Sequence, residues 1–157
     1  MHDMLTLCIY LKNPNQITWS RFYSILSLCL WQSCYQVVHI TIEGLEASGF
    51  PINDYLTRSI DGYKSDPQTF PNFQLISSDT NTVLACHSAH SLVGTYYDLD
   101  HGTQKVLETG TVIDDKGYYI QYIADEPKYS ALLPTVQNMI NSFEISKLWC
   151  YSTVGAS

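Results

Sequence analysis

Two turn signals divide the second half of the chain into short extended segments. The first is Asp98-Leu99-Asp100-His101-Gly102 and the second is Asp114-Asp115-Lys116-Gly117. Aspartate and glycine in such runs are typical of β-hairpin loops, and a terminal glycine suits the left-handed position of a bulged loop. The signals therefore predict strands at 103–113 and 118–123, paired with their neighbours in an antiparallel sheet.

Further strands are indicated upstream of these turns. Apolar and more polar residues alternate over 37–42, as in a half-buried strand, and Gly44 closes the segment. Strand-like composition returns around Phe73 and Leu75 and over 82–97, with turn residues at 78–81 between them. The sheet is therefore expected to include segments from both halves of the chain.

Two segments carry helical spacing. After Pro51, apolar residues recur with a spacing that predicts an amphipathic helix ending near Ser65: Ile52, Tyr55, Leu56, Ile60 and Tyr63. Near the C-terminus one helical stripe contains Tyr129, Leu132, Leu133, Val136, Met139, Ile140 and Phe143. Because proline disrupts a helix interior but suits its first position, Pro134 predicts a short turn over 128–133 followed by a helix over 134–142.

The order of these elements indicates the fold class. A helix, several hairpin-linked strands and a second helix are typical of an α+β fold with an antiparallel sheet, and the two helices could cover opposite faces. The 157 residues are enough for one ordinary domain. We divide the chain into an N-terminal segment of uncertain structure (1–34), the domain (35–146) and a tail (147–157).

The net charge and the N-terminal segment restrict the kinds of partner that the chain is expected to bind. With 15 acidic against 8 basic residues, the net charge of −7 argues against nucleic-acid binding. The apolar run at 22–31 is too short to cross a bilayer, which takes about 20 residues. Trp31-Gln32-Ser33 lacks the small residues of a cleavage site, so no clear signal peptide is predicted. Association of this segment with a membrane surface remains open.

The cysteines do not predict a disulfide framework. The chain has 5 of them, which leaves one unpaired under full oxidation, and none forms a Cys-x-x-Cys pair. A bridge between Cys29 and Cys34 would require a turn that brings them together, and this remains open.

The string Cys86-His87-Ser88-Ala89-His90 has metal-ligating residue types. On a continuous strand, however, Cys86 and His90 would lie about 13 Å apart, too far to share a zinc ion unless a turn forms at Ser88. Two pairs could in principle act as nucleophile and base, namely Cys86 with His101 and Ser91 with His90. Neither pair has a local catalytic signature. A thiol- or serine-dependent enzyme is therefore the least favoured function.

The aspartates of the two turns invite a calcium interpretation. The predicted hairpins place the pairs at opposite ends of the strand 103–113, about 30 Å apart, so they cannot share one ion. Asp98, Asp100 and His101 remain weak candidates for a local calcium site, although calcium prefers six to eight oxygen ligands. No cofactor is predicted beyond this weak possibility.

Tyrosines are the stronger functional candidates. The residues in question are Tyr96, Tyr97, Tyr118, Tyr119 and Tyr122. On adjacent strands alternate tyrosines face opposite sides, so some could pack under a helix while others meet a partner protein. Core packing is the alternative role for each of them.

Three C-terminal runs resemble a known family. They are Gly117-Tyr118-Tyr119-Ile120-Gln121-Tyr122-Ile123-Ala124, Glu126-Pro127-Lys128-Tyr129-Ser130 and 133–143, which contains Met139-Ile140-Asn141-Ser142-Phe143. Together they resemble the C-terminal signature of PsbP-like domains. The segments at 53–56, 70–73 and 89–97 are also similar to the family, and most of all to its archaeal members. The resemblance covers about 38–145 and departs at the front, where the family's aromatic-Gly strand and Tyr-Pro-x-x-Trp turn are absent.

The resemblance implies a fold and a setting. It implies an α-β-α sandwich with a central antiparallel sheet, an extracytoplasmic or membrane-associated location, and a non-catalytic accessory role in protein–protein assembly. The plant and cyanobacterial members dock on photosystem II, a role that does not transfer to a chain of this kind. The alternative function is a small-ligand or weak metal-ion binding domain with a pocket between the sheet and a helix.

Overall fold

The computed structural model describes residues 5–9, 36–46 and 48–145, with side chains from residue 38 onward within these ranges. The predictions for most of segment 1–34, for the Cys29 and Cys34 pair and for the tail 147–157 lie outside the described residues. Within the described ranges, no helix has the length and apolar character needed to cross a membrane.

An antiparallel sheet and two helices make up the described fold. The strands are β1 (Leu5–Ile9), β2 (Gln36–Gly44), β3 (Gln74–Leu84), β4 (His87–Asp98), β5 (Gly102–Ile113) and β6 (Lys116–Asp125), and the helices are α1 (Ile52–Ser65) and α2 (Glu126–Asn141). The strand order is β1-β2-β6-β5-β4-β3, with every neighbouring pair antiparallel. The α+β class is confirmed.

Several local predictions are confirmed. The strands predicted at 103–113 and 118–123 are β5 and β6, and the turn that ends at Gly102 (φ 72°) lies where the sequence places it. The second turn is shorter than predicted: Lys116 and Gly117 already belong to β6, and Asp114 instead of Gly117 takes the left-handed conformation (φ 57°). The strand closed by Gly44 is β2, and the helix predicted to end near Ser65 is α1.

The hairpin between β3 and β4 was not predicted. Instead of one strand over 82–97, the chain reverses at Ala85 and Cys86, both with positive φ (49° and 66°), and Leu84 pairs with His87. Positive φ at both central residues matches the twist of a two-residue hairpin, but Asn-Gly or Asp-Gly is the usual sequence there. The turn expected at 78–81 is an irregularity within β3, where the Asp79 carboxylate accepts from the Asn81 N–H at 2.8 Å.

The prediction of a break before Pro134 is wrong, because α2 is continuous from Glu126. Asp125 caps its N-terminus by accepting from the Lys128 N–H at 3.1 Å. Pro134 leaves the Ser130 carbonyl without its helical donor, but both residues lie on the exposed side, where water can reach that carbonyl. Burial on the opposite side, for example of Met139, outweighs this loss.

The two helices pack on alternate residues of the central strands. In β5, Val106 belongs to the cluster under α1, whereas Leu107 belongs to the cluster under α2. In β4, Leu92 lies in the α1 cluster and Ala89 in the α2 cluster. Because successive strand residues point to opposite faces, the two clusters lie on opposite sides of the sheet. The cluster under α2 is the larger of the two, whereas the buried His90 and Glu108 lie on the α1 side.

Candidate functional site: a polar pocket beneath helix α1

A buried carboxylate lies at the centre of the α1 side. Glu108 of β5 is only 3% exposed, and its Oε2 accepts from the Tyr63 hydroxyl at 2.7 Å. Its Oε1 lies 3.1 Å from Nε2 of His90, which is fully buried on β4. A buried carboxylate is stable only when such partners replace water, so both donors are needed to hold Glu108 in place.

Tyr63 links this carboxylate to the helix and to β6. Its hydroxyl also accepts from the Gln121 side-chain amide at 2.5 Å. Its ring stacks on Phe73 with centroids 4.7 Å apart and meets Phe70 edge-on. Burial and the neighbouring Glu108 raise the pKa of the Tyr63 hydroxyl, so it stays a neutral donor.

A second tyrosine of α1 fills the other end of the network. Tyr55 is fully buried, and its ring meets that of His90 edge-on at 5.2 Å. Nδ1 of His90 has no hydrogen-bond partner among the described residues, whereas the Tyr55 hydroxyl lies beside the Glu43 carboxylate but outside hydrogen-bonding geometry. Burial, followed by the charge of Glu43, raises the pKa of Tyr55.

Two glycines of the sheet make room for these rings. A Cβ on Gly110 would lie 2.6 Å from Cε1 of His90, and one on Gly117 would collide with the Tyr55 hydroxyl. Each glycine is therefore required by the close approach of a buried ring.

Beside this network a pocket of about 400 Å³ opens between α1 and the sheet. Strands β2, β5 and β6 form its floor with His39, Thr41, Glu43, Glu108, Tyr119 and Gln121. The helix side consists of Arg58, Ser59, Gly62 and Tyr63, and Phe70 completes the wall. The volume lies within the range of about 300–1,000 Å³ that is usual for small-molecule sites.

The charged groups of the pocket are at its rim and its base. Glu43 and Arg58 face each other at the rim, with 4.0 Å between Oε2 and the guanidinium nitrogen, and both side chains are partly exposed. Burial lowers the pKa of His39, so its imidazole is neutral at neutral pH. Burial also raises the pKa of Tyr119, which lies within hydrogen-bonding reach of Thr41. The pocket thus presents many hydrogen-bonding groups and few charges.

Asp98 and His101, two of the weak candidates for a metal site, bond to each other within the turn between β4 and β5. Asp98 Oδ1 accepts from the backbone N–H groups of Asp100 and His101, both at 2.9 Å, and lies 2.7 Å from Nδ1 of His101. This arrangement holds the turn together. Within the described ranges, no group of three His, Cys, Asp or Glu side chains could hold a metal ion.

Cys86 is disulfide-bonded, so its sulfur is neither a free nucleophile nor a thiolate ligand. The cysteine spacing did not indicate this bond, because only a Cys29–Cys34 bridge was considered. His90, at the other end of the segment Cys86-His87-Ser88-Ala89-His90, faces Glu108 and not Cys86.

The five candidate interface tyrosines separate into different environments. Tyr96 is 8% exposed and packs edge-on against Phe70, and Tyr122 is 1% exposed and stacks on Tyr129. These two therefore take the core-packing role that was the alternative for each tyrosine. Tyr97 is 48% exposed. Tyr118 and Tyr119 are half-buried, and Tyr119 lines the pocket.

Sequence reasoning missed the main components of the site. Glu108 was treated as part of a strand, Tyr63 as part of an apolar stripe, and Gln121 received no role. The available signal was Glu108 itself, a charged residue between Leu107 and Thr109 in a strand that helices cover on both sides. A charge in such a position must be paired.

Comparison with known proteins gives the fold only. No protein-family model matches the chain, and no curated protein matches it either. A crystal structure of a protein of unknown function from Pseudomonas aeruginosa, described as a "Putative Regulator", is similar to it with a TM-score of 0.54. The two chains share 12% sequence identity over 74% of this chain and 87% of the other.

Proposed function

We propose that the chain is a non-catalytic binding domain that holds a small polar ligand in the pocket between α1 and the sheet. The observation that carries this proposal is the convergence of Tyr63, Tyr119, Gln121 and Glu43 on one cavity of about 400 Å³. A small-molecule site combines such a cavity with a few polar groups that fix the orientation of its ligand.

The internal bonding of the site favours binding over catalysis. The Glu108 carboxylate and the Tyr63 hydroxyl are both occupied by protein partners, and His90 is sealed from solvent. A general base must reach the proton that it removes. Buried groups that bond to one another instead give the pocket a rigid floor.

We infer further that the fold is an α-β-α sandwich of the PsbP-like kind. The packing of α1 and α2 on alternate residues of β4 and β5 supports this inference. An extracytoplasmic setting, also implied by the family resemblance, has support from the disulfide at Cys86, because structural disulfides persist mainly in oxidising compartments.

A cavity-filling variant tests the binding function. Gly62 lies in α1 at the pocket, and nothing lies within 4 Å of a Cβ built on it. A Gly62→Leu side chain can therefore enter the cavity without colliding with backbone. The matched control is Thr57→Leu, which adds leucine at an exposed position of the same helix, outside the pocket lining.

The measurement is native mass spectrometry of each protein after incubation with a metabolite extract. Wild type and Thr57→Leu should retain the same small molecules, and Gly62→Leu should lose them while melting cooperatively. Equal retention by Gly62→Leu, or no retention by any of the three proteins, would contradict the proposal.

A second candidate function is protein binding at the sheet edge. Large apolar side chains on and near edge strand β3 are exposed: Leu75, Ile76, Val83, Tyr97 and Leu99. Since Gln74 pairs with Thr95, Leu75 and Ile76 lie at the same end of the sheet as Tyr97 and Leu99. Exposed apolar groups on an edge strand are a common docking feature. Cross-linking in native extracts should yield an adduct that Ile76→Ser with Leu99→Ser removes, while Gly62→Leu leaves it unchanged.

A further inference from the structure

We infer that the pocket beneath α1 selects a small organic ammonium ion, with its charge at Glu43 and its apolar part against the aromatic wall. This inference rests on the proposed binding function and adds the chemical class of the ligand.

Carboxylates outnumber permanent cations in the pocket lining. Glu43 and Glu108 contribute carboxylates, whereas Arg58 is the one permanently charged cation among the described lining residues. His39 adds no positive charge at neutral pH, because burial lowers its pKa. The chain as a whole has a net charge of −7, which also attracts cations over longer distances.

Arg58 is held only weakly at the Glu43 carboxylate. Its side chain is 44% exposed, and the 4.0 Å separation from Glu43 is too long for a hydrogen bond. Exposed pairs of this kind contribute little stability. An ammonium group can therefore replace Arg58 at the Glu43 carboxylate, while the guanidinium moves into solvent at small cost.

Aromatic rings form part of the pocket lining. Phe70 and Tyr119 both line the cavity, and Tyr119 is close enough to Glu43 and Glu108 to be affected by their charges. Cations bind favourably over aromatic faces, and an aromatic wall also accommodates the apolar body of an organic amine. An inorganic cation would gain less here, because the described residues provide no cluster of metal-ligating side chains.

Three probes of similar size separate the possible ligand classes: benzylammonium, benzyl alcohol and benzoate, which are positive, neutral and negative at pH 7. Affinity is measured by isothermal titration, and the Gln121 side-chain amide is followed by NMR to locate binding. We expect benzylammonium to bind about tenfold or more tightly than the other two, with a shift of the Gln121 signal.

Two variants should move the affinity in opposite directions. Glu43→Gln should weaken benzylammonium binding about tenfold, whereas Arg58→Gln should tighten it severalfold by removing the competing cation. Glu144→Gln, which removes a charge at an exposed position after α2, should leave affinity unchanged. The melting temperature of each variant is recorded, and the ranking of the probes on wild type requires no variant at all.

Other outcomes overturn the inference in distinguishable ways. Preference for benzoate, lost in Arg58→Gln, would identify an anion site, and equal affinity for all three probes would identify an apolar one. Either result refutes the ammonium class but leaves the binding function intact. Failure of all three probes to bind also refutes the class, whereas the binding function is tested separately by the metabolites that Gly62→Leu loses.

Discussion

Removal of one hydroxyl group tests the buried network beneath α1. In Tyr63→Phe the ring can still stack on Phe73, but Glu108 Oε2 loses its 2.7 Å donor and Gln121 loses its acceptor. A hydrogen bond to a carboxylate contributes about 1.5–3 kcal/mol. Gln121 is only partly buried and can bond to water, so the loss of its hydrogen bond to Tyr63 adds little to the destabilisation. The expected destabilisation is about 2–3 kcal/mol, a large part of the roughly 5–15 kcal/mol of an ordinary domain.

Urea denaturation followed by circular dichroism measures this change. With a slope of about 1–3 kcal/mol/M, the midpoint should fall by about 0.7–3 M at an unchanged slope. The matched control is Tyr97→Phe, because Tyr97 is half-exposed, and such a change is expected to stay within about 0.5 kcal/mol. A double-mutant cycle with Glu108→Gln should give a coupling energy of about 0.5–3 kcal/mol. Equal effects of the two tyrosine changes, or a coupling energy near zero, would refute the reasoning.

Four further predictions concern helix α2, the glycine beside His90 and the turn at Asp98. Ile140→Ala should lower the free energy of unfolding by about 2–5 kcal/mol, because Ile140 is buried under α2; an unchanged melting temperature would contradict this. Asp125→Ala should cost about 1 kcal/mol at pH 7 through loss of the helix cap. Hydrogen bonding to Lys128 lowers the pKa of Asp125 below 3.8. The stability difference between wild type and Asp125→Ala should therefore be present above pH 3.8 and disappear as the pH falls through the folded-state pKa. A stability difference that does not depend on pH would count against the cap. Gly110→Ala should cost about 1–3 kcal/mol by forcing the neighbouring His90 ring to move, which urea denaturation would reveal. Calcium at about 1 mM should leave the melting temperature unchanged, because Asp98 already binds its own turn; a rise of several degrees, lost in Asp98→Asn, would show a site.

The sequence was informative wherever a local signal determines local structure. The turns that follow β4 and β5 contain aspartate, and the first ends in Gly102 with positive φ; such preferences act within a few residues. Helix α1 follows from a stripe that begins just after Pro51. In these places the tertiary structure agrees with the local preference.

It was misleading wherever tertiary packing overrides a local preference. Ala85 and Cys86 have no turn signature, yet both adopt positive φ at a hairpin. Pro134 predicts a break in α2, but burial of the helix face that includes Met139 keeps the helix continuous. Whether Tyr122 faces the core or a partner depends on which face each helix covers, and this is not encoded near the residue itself.

The candidate site was the least predictable feature. Its groups come from α1, β2, β5 and β6, so Tyr63 and Glu108 meet although they lie far apart in sequence. Hydrogen-bond partners at such separation depend on sheet order and register, which no local pattern specifies. A buried charge such as Glu108 indicates that a partner must exist, but not which residue provides it.

The strand order also has a consequence for folding. Strands β3 to β6 each pair with their neighbours in sequence. By contrast, β2 pairs with β6, which lies far from it along the chain, with Gln36 opposite Ala124 and Gly44 opposite Lys116. Closing a loop of this length costs chain entropy before any contact compensates for it, so this pairing should form late. Because β2 carries Thr41 and Glu43, the floor of the pocket is incomplete until that step. A ligand bound there would therefore slow the release of β2 from the sheet.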